Sequence, residues 1–394
     1  MGDGWPRGGR YTELAMSPPD EKPLLNTPVL PAAQIGRERP ATLSDVASVA
    51  GVTRWIAGAV LNGGEGNSRC APETADRIRA AAAKLDYRPN PAAQLLSGKR
   101  SQTYGLLVAS AGDPLVAFLM QELHVELARI GCQALLGNTF EGWDRLEAGF
   151  ADRVEEFARR GVDGVFCAVH RWWPGDRRAL VERFPATVFH EDPEIEGARF
   201  VAPDRRACGR IAVEHLAARG RRRIGLASMT LSRATHRERL AGHTEALAAA
   251  GLAAAAPAVF DASRFGAAVP VHNPATRLWD YPAEIVDHCI DELVSTGGAD
   301  AIVAHDDFFA AVLLKRLRVR GIRVPDDVAV VGYLNHYLAD WVDPALTTID
   351  LDQAAAARAM VAMAEGLVVE VKDGAGSGPQ SVLIPPRLIV REST

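Results

Sequence analysis

With 394 residues and 48% apolar side chains, the chain is long enough for two or more domains with buried cores. Its net charge of −5 excludes a polyanion binder along its whole length. No apolar run can span a membrane, the N-terminal stretch lacks a signal-peptide core, and five scattered cysteines without a C-x-x-C pair argue against disulfides or a structural zinc, as expected of a cytoplasmic protein.

Residues 1–40 are rich in Gly, Pro and Arg and carry five charges of each sign, which suits a disordered extension or a misassigned start. Residues 41–100 hold eight Lys/Arg against five Asp/Glu, leaving −8 for the remainder. A small basic head on an acidic body fits phosphate contact by the head alone.

The run Ala41 to Thr53, followed by Arg54 to Asn62, reads as helix, tight turn, helix, the arrangement of a DNA-reading helix-turn-helix or of an ordinary helical hairpin. Thr42 caps the first helix and Asp45, three residues on, completes a capping box. Leu43, Val46, Ala47 and Ala50 recur at helical spacing as its apolar face. Gly51 stands where the helix must stop and the chain turn, and Thr53 caps the second helix. Asn62-Gly-Gly-Glu-Gly66 is a loop, and Pro72 to Asp86 forms a third amphipathic helix with Ile78 and Leu85 facing in. Asn90-Pro91 has the form of a cap followed by proline at a first helical position.

From about Thr103 the pattern changes to short apolar runs between helical stretches. Residues 104–110, 133–137, 164–169, 187–190, 224–228, 301–305 and 328–333 read as buried strands; 115–130, 144–160, 206–219 and 284–295 read as helices. Such alternation implies parallel sheets covered on both faces, and this length suits two doubly wound subdomains rather than one sheet. Open parallel sheets bind ligands beyond the carboxyl ends of their strands. Polar groups expected there are Asp113, Asn138, His170, Arg237, Asp306 and Asn335. Trp172, Trp173, Trp279 and Trp341 could stack on a ligand face, although such residues more often fill cores. Asp306 could equally cap the helix that follows it. No catalytic motif stands out: the ten His show no metal spacing, and no nucleophile elbow, Walker loop or dinucleotide fingerprint occurs. No catalytic residue, metal or cofactor is expected. Asp306 and Asp307 are adjacent, and neighbours at a strand end point apart.

In order along the chain, Thr42-Leu43, Asp45-Val46-Ala47, Ala50-Gly51-Val52-Thr53, Val60-Leu61-Asn62, Tyr87, Pro89-Asn90, Ala93 to Leu96, Val162-Asp163-Gly164, Glu214-His215-Leu216, Arg239-Leu240-Ala241-Gly242, Val324 to Val328, Val331-Gly332-Tyr333, Pro344, Leu346-Thr347-Thr348 and Arg391 to Thr394 closely resemble the lactose-repressor and galactose-repressor (LacI/GalR-type) family of transcription regulators. The resemblance runs from residue 41 to the C-terminus. It implies an all-α helix-turn-helix DNA-binding head plus an α/β body of two doubly wound parallel-sheet subdomains, like that of periplasmic sugar-binding proteins. It divides the chain into an extension (1–40), a head (41–88), a hinge helix (89–101) and a body (102–394). The subdomains are expected at 102–219 with 352–378 and at 220–350 with 380–394, the chain crossing near 218–222, 349–352 and 376–381.

By the same resemblance the second helix of the head enters the major groove. Arg54 then offers a bidentate donor pair to guanine, and Trp55 packs on a thymine methyl or a sugar edge or else belongs to the core. The DNA-facing set is Thr53, Arg54, Trp55, Ile56, Asn62, Arg69, Asn90, Leu96 and Lys99. Leu96 matches the leucine that the family's hinge helix wedges into the minor groove, while Lys99 and Arg100 favour nearby phosphate. The family usually has Thr, Ser and Arg where this chain has Ile56, Gly58 and Ala59, and the loop after Asn62 is longer than usual, so phosphate contacts would fall to Arg69, Arg77 or backbone amides. Arg237 and Asp306 match the family's ligand-contacting Arg and Asp, a pair suited to sugar hydroxyls. Leu115-Val116 replaces an aromatic pair, His305 replaces Asn, and an insertion around 264–279 reshapes or covers the cleft, which favours a larger saccharide or glycoside over a common hexose.

The reading is a dimeric repressor of carbohydrate-use genes. Its partners are a near-palindromic DNA operator, a sugar or glycoside effector and a second copy of the chain, with no membrane. A homodimer is the natural minimum because no heptad tail follows Arg391 to Thr394. The rivals are a small-molecule binding protein with a degenerate DNA-reading head, and a sugar-acting enzyme on a similar two-lobed fold, which residues 41–100 argue against.

Overall fold

The computed structural model describes residues 41–61, 70–88, 100–110, 114–140, 146–169, 175–231, 234–253, 259–265, 271–273, 278–373 and 380–394. The chain divides into two compact units, Met1–Asn90 and Pro91–Thr394.

The described part of the first unit is a three-helix head: α1 (Leu43–Ala50), α2 (Arg54–Leu61) and α3 (Pro72–Lys84). The capping box forms as expected, with the Thr42 amide donating to Asp45 Oδ2 at 2.7 Å and the Asp45 amide to Thr42 Oγ1 at 3.4 Å. Gly51 turns the chain at φ 65°, a left-handed conformation without penalty for glycine. The Ile56 amide donates to Thr53 Oγ1 at 3.3 Å, so Thr53 caps α2. Val46, Ala47, Ala50, Ala57, Val60, Ile78 and Ala81 form the core, with Leu43 and Leu85 packed at its edge. Its alanines let short helices approach closely.

The second unit holds two parallel sheets. The first takes β1 (Thr103–Val108), β2 (Gln133–Asn138), β3 (Gly164–Ala168), β4 (Thr187–Phe189), β5 (Arg199–Pro203) and β13 (Ser381–Ile384), in the order β13-β5-β4-β3-β1-β2. The second takes β6 (Ile224–Ser228), β7 (Val259–Asp261), β10 (Ala301–Val303), β11 (Ala329–Tyr333), β12 (Thr347–Asp350) and β14 (Arg387–Ile389), in the order β14-β12-β11-β10-β6-β7, with β14 antiparallel at the edge. A small antiparallel pair, β8 (Val271–Asn273) and β9 (Leu278–Asp280), stands in the insertion.

Helices α4 (Pro114–Arg129) and α12 (Gln353–Asp373) supply Leu119, Leu123, Met360 and Ala364 to one face of the first sheet; α5 (Leu146–Arg160) and α6 (Arg177–Arg183) supply Phe157 and Leu180 to the other. The second sheet lies between α7 (Arg205–Ala218) with α8 (Ala234–Ala249), and α9 (Ala283–Ile290) with α10 (Asp307–Val319). Strands buried on both faces read as continuous apolar runs, which is why the sequence disclosed them.

Two of the expected crossings are corrected. The first lies between β5 and α7, at Pro203–Arg205, not near 218–222. The third lies between β13 and β14, at Ile384–Arg387, not near 376–381. The third moves because β13 pairs with β5, with Val382 beside Val201 and Leu383 beside Ala202, so both belong to the first sheet; the first moves because α7 packs Cys208, Ala212 and Val213 against the second sheet. The subdomains therefore meet near residues 203–205 rather than at 219. The second crossing lies at Asp350–Gln353.

Helices α7 and α8 touch backbone to backbone. A Cβ on Gly242 would lie 1.9 Å from the Arg206 carbonyl oxygen, and one on Gly209 2.1 Å from that of Arg239. Gly242→Ala must push the helices apart, at a cost of about 1–3 kcal/mol. Its thermal unfolding midpoint is expected several degrees below that of the wild type; an unchanged midpoint would show that α8 shifts freely.

Candidate ligand cleft and nucleic-acid interface

In the head, Thr53, Arg54 and Trp55 are exposed at the start of α2, and Trp55 is 67% exposed. That excludes Trp55 from the core. Ile56 is half-buried, its side chain packed against the head core. Arg77 donates from Nε to the Ala50 carbonyl at 3.0 Å and pins the end of α1, so its guanidinium is not simply available to phosphate. Asn62, Arg69, Asn90, Leu96 and Lys99 lie outside the described residues, as do the hinge-helix residues 89–99.

In the body, polar groups gather where the second sheet's strands end. Arg239 is 3% exposed. It donates from Nη1 to the His305 carbonyl at 2.7 Å and from Nη2 to His305 Nδ1 at 3.2 Å. Accepting at Nδ1 leaves the neutral His305 ring with its proton on Nε2. The Arg239 guanidinium carbon lies 4.8 Å from the Tyr333 ring centroid, and that of Arg205 lies 5.6 Å from the same ring. Arg205 donates to the Tyr333 hydroxyl at 2.5 Å and stands 3.6 Å from Glu191, which follows β4 of the first sheet. Burial draws the Arg239 guanidinium below its ordinary pKa.

Asp306 N-caps α10: Oδ1 accepts the Phe309 amide at 2.7 Å, and Oδ2 accepts the Tyr281 hydroxyl. Burial pushes its carboxyl up to about 7. Asp307 turns the other way. Its oxygens accept the amides of Tyr333 and His336, each at 2.7 Å, and the Thr348 hydroxyl at 2.6 Å. The two carboxylates do not act as a pair. The His236 ring lies 4.9 Å from that of His305, closing the group.

Arg237 does not join this cluster. It is exposed and donates to the Leu231 carbonyl at 3.3 Å, whereas Arg239 enters the cluster. The signal was present: Arg239, Gly242, His243 and Ala246 are buried at helical spacing, and Arg237 falls off that face. Asn335 also stands apart from the cluster. Its carboxamide accepts from Arg391 at 3.1 Å and donates to Asp350 at 3.5 Å, tying its loop to β12 and the C-terminal segment. Trp341, at the end of α11 (Leu338–Trp341), is 76% exposed, tilted against Tyr337 with ring centroids 4.6 Å apart, and stands outside the cluster. At the end of β2, Asn138 donates to the Phe140 carbonyl at 3.1 Å, and its Oδ1 is buried without a hydrogen-bond partner among the described residues. Asp113, His170, Trp172 and Trp173 lie outside the described residues; Trp279 lies in β9.

The subdomains touch through aromatic rings: Phe118 of α4 lies 5.1 Å from His336, which packs 4.5 Å from Phe308 of α10. Phe118 is one helical turn beyond Leu115, where an aromatic was missing from the expected pair. Among the described residues no cluster of His, Cys, Asp or Glu could hold a metal, and no helix is long and apolar enough to cross a membrane.

A model described as a periplasmic binding protein-like domain matches residues 213–394. The HTH-type transcriptional regulator CelR of Thermobifida fusca is 29% identical over 366 residues, covering 91% of this chain and 99% of that protein. The HTH-type transcriptional repressor PurR of Mannheimia succiniciproducens is 26% identical over 360 residues, covering 90% and 98%. Among solved structures, the lac repressor dimer bound to operator and the anti-inducer ONPF superposes with a TM-score of 0.70 at 23% identity, covering 90% of this chain and 99% of that one. A CelR–cellobiose complex superposes with a TM-score of 0.58 at 27% identity, covering 90% and 100%.

Proposed function

The chain belongs to the LacI/GalR-type family of transcription regulators, and from that premise we propose that it is a cytoplasmic, dimeric repressor whose saccharide effector binds between the two subdomains of the body. The observation that carries the effector site is the Arg239–His305–Asp306 cluster, with Arg239 buried and the other two half-buried, where the second sheet's strands end. A guanidinium that donates and a carboxylate that accepts match the hydroxyls of a sugar, each of which does both. The relative solved with cellobiose makes a disaccharide the first effector to try.

In this reading two heads sit on half-sites of a near-palindrome, with Arg54 and Trp55 against base edges. Effector in the cleft changes the relation of the subdomains, and that change orders or melts the hinge segment 89–99. A difference of a few kcal/mol in effector affinity between the two states is enough to switch occupancy. No catalytic role is assigned.

The test is selection of genomic fragments by the full chain at physiological salt, followed by titration of the recovered duplex with cellobiose and related saccharides. One near-palindromic motif is expected. In Arg54→Ala and Trp55→Ala, preference at the contacted base pairs should flatten by about 1–3 kcal/mol while non-specific binding persists. Recovery of no motif, with sugar binding intact, would favour a sugar-binding protein whose head no longer reads bases.

A further inference from the structure

Arg100 is the first described residue after the segment that leads from the head, and its side chain is fully engaged by the body. Nη1 and Nη2 grip Glu365 of α12 at 3.0 and 2.6 Å. Nη2 also donates to the Tyr104 hydroxyl at 3.0 Å, and Tyr104 donates onward to Glu365 Oε1 at 2.5 Å. Nε donates to Asp163 Oδ2 at 3.2 Å. Asp163, on the turn before β3, takes the amides of Ser101 at 2.8 Å and Gln102 at 2.9 Å, and the Ser101 hydroxyl at 3.1 Å. Gln102 is held at φ 53°, a conformation a non-glycine residue keeps only when its surroundings fix it.

Three separate pieces of the first subdomain thus converge on three consecutive residues: the start of β1, the turn before β3 and a helix that arrives after the second crossing. The Asp163 side chain is 8% exposed and that of Arg100 28%, so the group is partly shielded from water and salt.

We propose that the Arg100–Glu365–Asp163–Tyr104 network is the anchor through which the body sets the position of the hinge segment and hence the affinity for DNA. This rests on the regulator reading above. Arg100 is then a positioning residue and not a phosphate contact. Without the anchor, residues 100–102 gain conformational freedom that DNA binding must remove again.

Two simple electrostatic alternatives predict different signs. If Arg100 met phosphate, Arg100→Ala would lower the salt slope of DNA binding by about one, and Glu365→Gln would leave affinity unchanged. If only the local field mattered, Glu365→Gln and Asp163→Asn would strengthen DNA binding by removing negative charge. An anchor predicts that all three substitutions weaken it, by about tenfold, with the salt slope unchanged.

The experiment measures affinity of the full-length chain for a duplex carrying the selected motif, across a salt series, for wild type, Arg100→Ala, Glu365→Gln, Asp163→Asn and the double variant Arg100→Ala/Glu365→Gln. The double variant is expected to lose no more than the worse single one, as befits one network. Unchanged or tighter binding by Glu365→Gln, or additive losses, would overturn the anchor. Hydrogen exchange on the free proteins gives a reading independent of DNA: amides of 100–104 should exchange faster in Glu365→Gln than in wild type, while the body's unfolding midpoint moves little. Equal exchange rates would overturn the anchor. If the wild-type chain binds no duplex, the regulator reading fails, and hydrogen exchange alone decides whether the network holds the segment.

Discussion

Arg239→Ala is expected to weaken saccharide binding by about a hundredfold, whereas Arg237→Ala should stay within about twofold of wild type. The two arginines are separated by one residue and differ in everything that matters for recognition. Arg239 is 3% exposed, braced by both hydrogen-bonding groups of His305 and lying over the Tyr333 ring. Its guanidinium is oriented before any ligand arrives, so little rotamer entropy remains to be lost on binding. Arg237 is exposed and donates to the Leu231 carbonyl. A charge-assisted hydrogen bond contributes about 1.5–3 kcal/mol, and a fork that makes two of them reaches a hundredfold. Arg239→Lys keeps the charge but not the fork, and should recover only a small part of the loss. Arg239→Met guards against a folding failure, since it fills the space without charge. Calorimetric titration with cellobiose and the related saccharides reads all four variants. Equal losses at Arg237 and Arg239 would mean that the effector approaches from the exposed face of α8 and that the buried cluster is structural.

Local patterns are legible in this chain and distant pairings are not. Strands such as Ile224–Ser228 are legible because both faces are buried and the run is apolar throughout. The capping box at Thr42 and the left-handed turn at Gly51 are legible because they are local: partners lie within a few residues. Pairing between distant segments is not written in this way. The first sheet is completed by β13 beside β5, two short segments nearly two hundred residues apart, and β13 alternates exposed and half-buried positions in the manner of an edge strand. That pairing moves the third crossing, and the packing of α7 on the second sheet moves the first. The same reasoning applies to side chains. Arg100 beside Lys99 looked like a phosphate contact, but its carboxylate partners are 63 and 265 positions away. Asn335 looked like a ligand group at a strand end until Arg391 and Asp350 were seen to occupy its carboxamide. Of the cleft, Asp306 was legible as one residue with two possible roles. The fold uses both oxygens at once, one to cap α10 and the other to hold Tyr281.

Asp306→Asn is expected to weaken saccharide binding by about tenfold or more and to remove its dependence on pH. Burial raises the Asp306 carboxyl to about 7, with the Phe309 amide and the Tyr281 hydroxyl acting in the opposite sense. An unfolded aspartate has a pKa of about 3.9. A folded-state value above the unfolded one means that the native body favours the protonated acid. The stability this contributes is fully present below about pH 3.9 and is lost as pH rises through about 7. The ligand-free body should therefore become less stable between about pH 6 and pH 8 on account of this group, and Asp306→Asn, neutral throughout, should lose that part of the slope. Binding runs the other way. Sugar hydroxyls donate to the ionised carboxylate, which is about a tenth of the population at pH 6 and about nine tenths at pH 8, so wild-type affinity should rise roughly tenfold over that interval. Unfolding midpoints and calorimetric titrations at the two pH values give both signs in one set of samples. Affinity that falls with rising pH would mean that the acid form donates to the ligand; affinity that is flat in both proteins would remove Asp306 from the effector site and leave it as the cap of α10. The opposed signs are what a regulator can use: the carboxylate that burial makes costly in the empty cleft is the group whose cost a ligand's hydroxyls relieve, so the empty body is held in a state that effector binding selectively stabilises.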